Sequence, residues 1–126
     1  MRCWLLAGIL ALAVTAPGEA QARRPRLDLR ASPRMALSPV HVVVVAELVG
    51  GDEVEDFYCP LLEWDFDDGA KSTHQSDCAP YGPETELERR FSAGHDFHQP
   101  GDYNVSLTLK RSGRSVATAS TSIDVH

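Results

Sequence analysis

The sequence predicts an all-β chain, an antiparallel β-sandwich preceded by a signal peptide helix. Three observations support that class. Short apolar stretches alternate with clusters of Gly, Pro, Ser and Asp; the last quarter of the chain alternates apolar and polar residues with period two; and helical periodicity is absent beyond the leader. Strands punctuated by turn residues, with no helices between them, are the pattern of a two-sheet sandwich.

The 126 residues suffice for one domain with a modest core. Met1-Arg2 is a short basic start, Cys3 to Val14 is apolar, and Ala20-Gln21-Ala22 is an A-x-A cleavage signature. These are the three parts of a secretory signal peptide, assigned to residues 1–22. The apolar run is shorter than the roughly 20 residues a membrane span requires. The expectation is therefore a mature domain of residues 23–126, secreted to the extracellular space or the periplasm and not inserted in a membrane. Losing Arg2 and Glu19 with the leader leaves the formal net charge at −6. Basic residues are scattered apart from Arg23-Arg24-Pro25-Arg26, so nucleic acid is excluded as a partner.

Along the mature chain, Leu27, Leu29 and Ala31 alternate with polar residues and predict a first strand ending near Pro33. Val40 to Leu48 is a β-branched run suited to the interior of a sandwich. It closes at Gly50-Gly51, and an acidic loop, Asp52 to Asp56, leads to Phe57-Tyr58-Cys59. Next, Leu62, Trp64 and Phe66 share one face of a strand and Glu63, Asp65 and Asp67 the other. Asp68-Gly69 predicts a two-residue type I′ turn, which needs positive φ at both residues. That turn sets Asp67 opposite Ala70, Trp64 opposite Thr73, Glu63 opposite His74 and Cys59 opposite Cys78. Opposed residues lie within disulfide reach, so the expectation is a hairpin of residues 61–67 and 70–77 closed by Cys59–Cys78. Its second strand is almost wholly polar and suits an exposed edge. Finally, Tyr103, Val105, Leu107 and Leu109 line one face. After a turn at Arg111-Ser112-Gly113-Arg114, Ala117, Ala119, Thr121, Ile123 and Val125 do the same, giving a C-terminal hairpin.

Several of these residues fall in the order and spacing of a known family. Trp64-x-Phe66-x-Asp68-Gly69, then His95-x-Phe97, then Pro100-Gly101-x-Tyr103-x-Val105-x-Leu107 resembles the polycystic-kidney-disease (PKD) domain. That family is an immunoglobulin-like β-sandwich. The chain departs from its pattern in having Asp67 where the family has a glycine, and in its cysteine pair. Asp tolerates left-handed backbone better than most residues. The resemblance implies a non-catalytic extracellular module that binds a protein or a carbohydrate. It also implies that Trp64, Phe66, Gly69, His95, Phe97, Pro100, Gly101 and Tyr103 are structural.

The remaining chemistry is limited. Asp65, Asp67 and Asp68 are candidate ligands for Ca2+. The segment nevertheless fails the EF-hand spacing, with Gly69 at the fifth place and Ser76 at the twelfth. A calcium-rigidified structural module of a larger cell-surface assembly is thus an alternative. His95-x-x-His98 lacks further ligands at zinc spacing. A small hydrolase is the remaining alternative; it would need carboxylates converging across a cleft or a Gly-x-Ser-x-Gly elbow, and the elbow is absent. The chain is therefore expected not to be an enzyme. Phe57, Tyr58 and Tyr81, in the loops at 50–58 and 79–84, are the candidate aromatic anchors for a partner.

Overall fold

The computed structural model describes residues 23–52 and 54–126. The expected leader, residues 1–22, lies outside the described residues. Eight strands run β1 (Arg26–Ser32), β2 (Met35–Ala36), β3 (Val40–Val49), β4 (Leu61–Asp65), β5 (Lys71–Gln75), β6 (Arg90–Phe97), β7 (Gly101–Arg111) and β8 (Arg114–Val125). They form a three-stranded sheet, β1-β3-β6, facing a five-stranded sheet, β2-β8-β7-β4-β5. This is the all-β sandwich that the alternation predicts.

The core lies between the sheets and follows from period two. On β3, Val42, Val44, Ala46 and Leu48 point inward; on β7, Val105, Leu107 and Leu109 do. Trp64 and Phe66 enter from β4 and its turn, Phe91 and Phe97 from β6, and Ile123 and Val125 from β8. Complete burial of one such side chain contributes about 1.5–3 kcal/mol. Sequence pattern missed two elements. β6 carries Gly94, Ser92 and His95 among its apolar residues, so its alternation is weak. β2 is only two residues long and pairs in parallel with β8. The acidic loop also contains a single 3-10 turn, Glu55–Phe57.

The β4–β5 hairpin forms, but its register differs by one residue from the expected one. Trp64 pairs with Ser72, Glu63 with Thr73 and Leu62 with His74. The physical reason is the turn. Asp67 and Gly69 have φ of 62° and 89°, whereas Asp68 is not left-handed, so the loop has three residues, closed by Phe66 N–H donating to Ala70 O at 3.1 Å. The two-residue turn with both residues left-handed occurs elsewhere. Ser112 and Gly113, at φ 52° and 77°, join β7 to β8. Cys59 and Cys78 lie beyond the β4–β5 ladder and are bonded, with Cα atoms 6.2 Å apart. β5 is the outer strand of its sheet and all five residues are exposed, as its polar composition requires.

Candidate functional site

The acidic stretch at residues 65–68 lies at one end of the sandwich, where each carboxylate is engaged by the chain itself. Asp65 Oδ1 accepts from Asp67 N–H at 3.0 Å, and Asp68 Oδ1 accepts from Ala70 N–H at 3.0 Å. These two short-range bonds shape the three-residue loop. Asp67 Oδ2 accepts from Asn104 N–H at 2.9 Å, tying the loop to the start of β7. Asp68 Oδ2 sits 2.6 Å from His95 Nε2 and links this turn to β6 in the other sheet. Partial burial pushes the Asp68 carboxyl up. The hydrogen bonds from His95 and the Ala70 N–H, with attraction to the imidazole, outweigh burial and hold it below its ordinary value.

The remaining motif residues surround that link. His95 stacks on Phe66 at 4.1 Å between ring centroids and meets Phe97 edge-on at 4.8 Å. Phe66 continues to Trp64, and Phe97 to Tyr103, whose hydroxyl donates to Gln99 O at 2.7 Å. Gly101 lies under the Tyr103 ring, where a Cβ would approach to 3.3 Å, and Pro100 completes the turn. This end is a packed aromatic ladder tied by the Asp67–Asn104 and Asp68–His95 hydrogen bonds, and its carboxylates do not converge on one point.

The opposite end is open. Cys59–Cys78 holds the 50–60 loop against the 76–89 loop, and Gln75 Nε2 donates to Cys59 O at 3.2 Å. Arg111 Nη1 donates to Glu55 O at 2.8 Å and also to Tyr58 O, with its guanidinium 5.9 Å from the Tyr58 ring centroid. The Tyr58 hydroxyl donates to Ala79 O, across the disulfide. Tyr58 and Tyr81 lie 5.4 Å apart with their planes tilted by 55°. Of the three candidate anchors, Tyr58 and Tyr81 therefore come together at the surface. Phe57 does not join them: it is 1% exposed and packs into the core from the 3-10 turn, so it is corrected from anchor to core residue. Beside the tyrosines runs a groove of about 480 Å³ lined by Gln75, Pro80, Lys110 and Ser112.

Three His–Asp pairs occur among the described residues, one of them His126 Nε2 with Asp124 at 3.3 Å between neighbours at the end of the chain, and the other two are close enough for a chemical reading. Besides His95–Asp68, His41 Nδ1 lies 2.6 Å from Asp96 Oδ1 on the outer face of the three-stranded sheet. Its ring crosses Gly94 so closely that a Cβ there would come within 2.9 Å, which explains a glycine inside β6. A hydrolytic dyad needs a hydroxyl or thiol on the second imidazole nitrogen. Among the described residues, neither His41 Nε2 nor His95 Nδ1 has such a partner. Asp65, Asp67 and Asp68 point to different donors, and no group of three or more potential metal ligands converges among the described residues. His98 stays exposed in the β6–β7 turn, while His95 is engaged by Asp68. Among those same residues no helix is long and apolar enough to cross a membrane. No protein-family model matches the chain, and no curated protein sequence matches it.

Proposed function

We propose that the protein is an exported, non-catalytic recognition module resembling a PKD domain, and that it binds a protein partner through its disulfide-braced loop end. The observation that carries this reading is the Tyr58–Tyr81 pair, held at the mouth of the 480 Å³ groove by Cys59–Cys78 and Arg111. Partly exposed tyrosines on braced loops supply contact area at low ordering cost, as hot-spot residues do. Their 55° tilt makes a ridge, not the flat platform on which a sugar ring stacks, and so favours protein over carbohydrate. Export is supported by the disulfide, which persists in oxidising compartments.

The test compares the native chain with a Tyr58→Ala/Tyr81→Ala variant, both with the disulfide intact, as baits against the exported proteins of the producing cell. The expected outcome is a partner held by the native chain and lost by the variant. Equal capture by both removes the loop end as the binding surface, and binding on a glycan array in place of a protein partner moves the reading to carbohydrate.

A further inference from the structure

Three depressions of unequal charge have Tyr58 or Tyr81 in their walls. The groove already described contains Lys110 and Arg111, but both are committed, Lys110 Nζ to Glu63 at 3.0 Å and Arg111 to backbone carbonyls. Tyr81 borders a depression of about 290 Å³ that contains Asp52, Glu55 and Asp56. Tyr58 borders another, of about 400 Å³, that contains Glu86 and Glu88. Asp56 pairs with Arg24 at 3.8 Å, and the one arginine of the second depression, Arg90, pairs with Glu47 at 3.8 Å. Asp52, Glu55, Glu86 and Glu88 have no ion-pair partner among the described residues. Carboxylates without an ion-pair partner thus line one depression beside Tyr81 and another beside Tyr58, with the Arg111 guanidinium between them at the Tyr58 ring.

The chain itself shows what such a surface accepts. Arg24 places its guanidinium 5.6 Å from the Phe57 ring centroid and beside Asp56, combining a cation–π contact with an ion pair. Tyr81, exposed beside Asp52 and Glu55, offers the same combination outward, and the Tyr58 ring next to it already carries the Arg111 guanidinium. Building on the recognition reading above, we infer that the loop end binds an extended cationic segment of its protein partner. An apolar or proline residue of that segment rests on Tyr58 and Tyr81, and arginine or lysine side chains reach into the two acidic depressions. Each tyrosine borders its own depression, so basic residues separated by uncharged ones fit better than a continuous basic block. Electrostatic complementarity of this kind speeds encounter and is weakened by salt.

The test uses a capped nonapeptide repeating Arg-Pro-Leu, with a Glu-Pro-Leu analogue as control, titrated into the isotope-labelled exported chain and followed by amide shifts. The expected result is saturable shifts at Tyr58, Tyr81, Asp52 and Glu86–Glu88, none with the glutamate peptide, and on the order of tenfold weaker binding at 0.5 M than at 0.05 M salt. Glu86→Gln/Glu88→Gln, which leaves the tyrosines in place, weakens binding to a similar degree. No shifts with the arginine peptide, or shifts spread equally to Asp102 and Asp124 at the far end, overturn the inference. If that happens while Tyr58→Ala/Tyr81→Ala still loses the native partner, only the charge assignment falls. If the tyrosine variant keeps its partner, the recognition surface falls with it.

Discussion

Asp68 concentrates the local energetics of the aromatic end, because one side chain serves its own turn through Ala70 N–H and the opposite sheet through His95. The side chains of the pair are 18% and 21% exposed, yet Asp68 lies in an exposed turn, so solvent screens part of the attraction. A carboxyl held below its ordinary value binds fewer protons in the folded state than in the unfolded state. Its stabilisation is therefore complete above the ordinary value of 3.8 and is lost as pH falls through the lowered folded value. Asp68→Asn is expected to cost about 2 kcal/mol at neutral pH, the scale of a hydrogen bond to a charged group. It also flattens the decline in melting temperature below pH 3.8. A variant melting like the native chain at both pH values would show that the link contributes nothing. Asp67 offers a second lesson at this scale. It adopts φ 62°, a left-handed backbone that favours glycine, and its carboxylate recovers some of that strain by accepting from Asn104 N–H.

The β4–β5 hairpin separates what was legible in the sequence from what was not. Trp64 and Phe66 as core residues and the polar edge follow from residue type and alternation, whereas the Cys59–Cys78 bond forms although the two-residue turn that set the cysteines opposite does not. The register does not follow from residue type. Lys71 to Gln75 are polar on both faces, so a slip by one residue exposes nothing and the hydrophobic pattern is silent. The turn decides, and its geometry depends on side-chain bonds from Asp65 and Asp68 that dipeptide preference ignores. The disulfide tolerates either register because it lies beyond the ladder, where Cys59 takes φ 49°. Replacing both cysteines by serine opens a loop with a sequence separation of 19 and is expected to cost about 3 kcal/mol. It should also broaden the Tyr58 and Tyr81 resonances, since the two loops then move independently. A native-like melting temperature after the double replacement would contradict this. At the loop end, the sequence named Tyr58 and Tyr81 but could not pair them, because their contact depends on how two distant loops fold back.

Across the whole molecule, stability should grade from the buried strands outward. β3 and β7 are central in their sheets and bury the fully enclosed valines and leucines, whereas β5 has one neighbour and no buried residue. Native-state hydrogen exchange should find β3 and β7 amides opening only with global unfolding, and β5 amides exchanging on the order of a hundredfold faster. Uniform protection across both sheets would contradict this grading. The sandwich class was legible because alternation survives in β1, β4, β7 and β8 and β3 is a continuous β-branched run. β2 was not, since two residues carry no period and only the arrangement of the sheets places them beside the last strand. That placement has a mechanical consequence. The chain enters through β1 in one sheet and crosses to β2, which lies parallel to β8 in the other. Asp124 N–H to Arg34 O, His126 N–H to Ala36 O and Ser38 N–H to His126 O join the two strands at 2.8–2.9 Å. Tension applied at residues 23 and 126 pulls β2 and β8 lengthwise in opposite directions, so these bonds bear the load together in shear and do not peel apart one at a time.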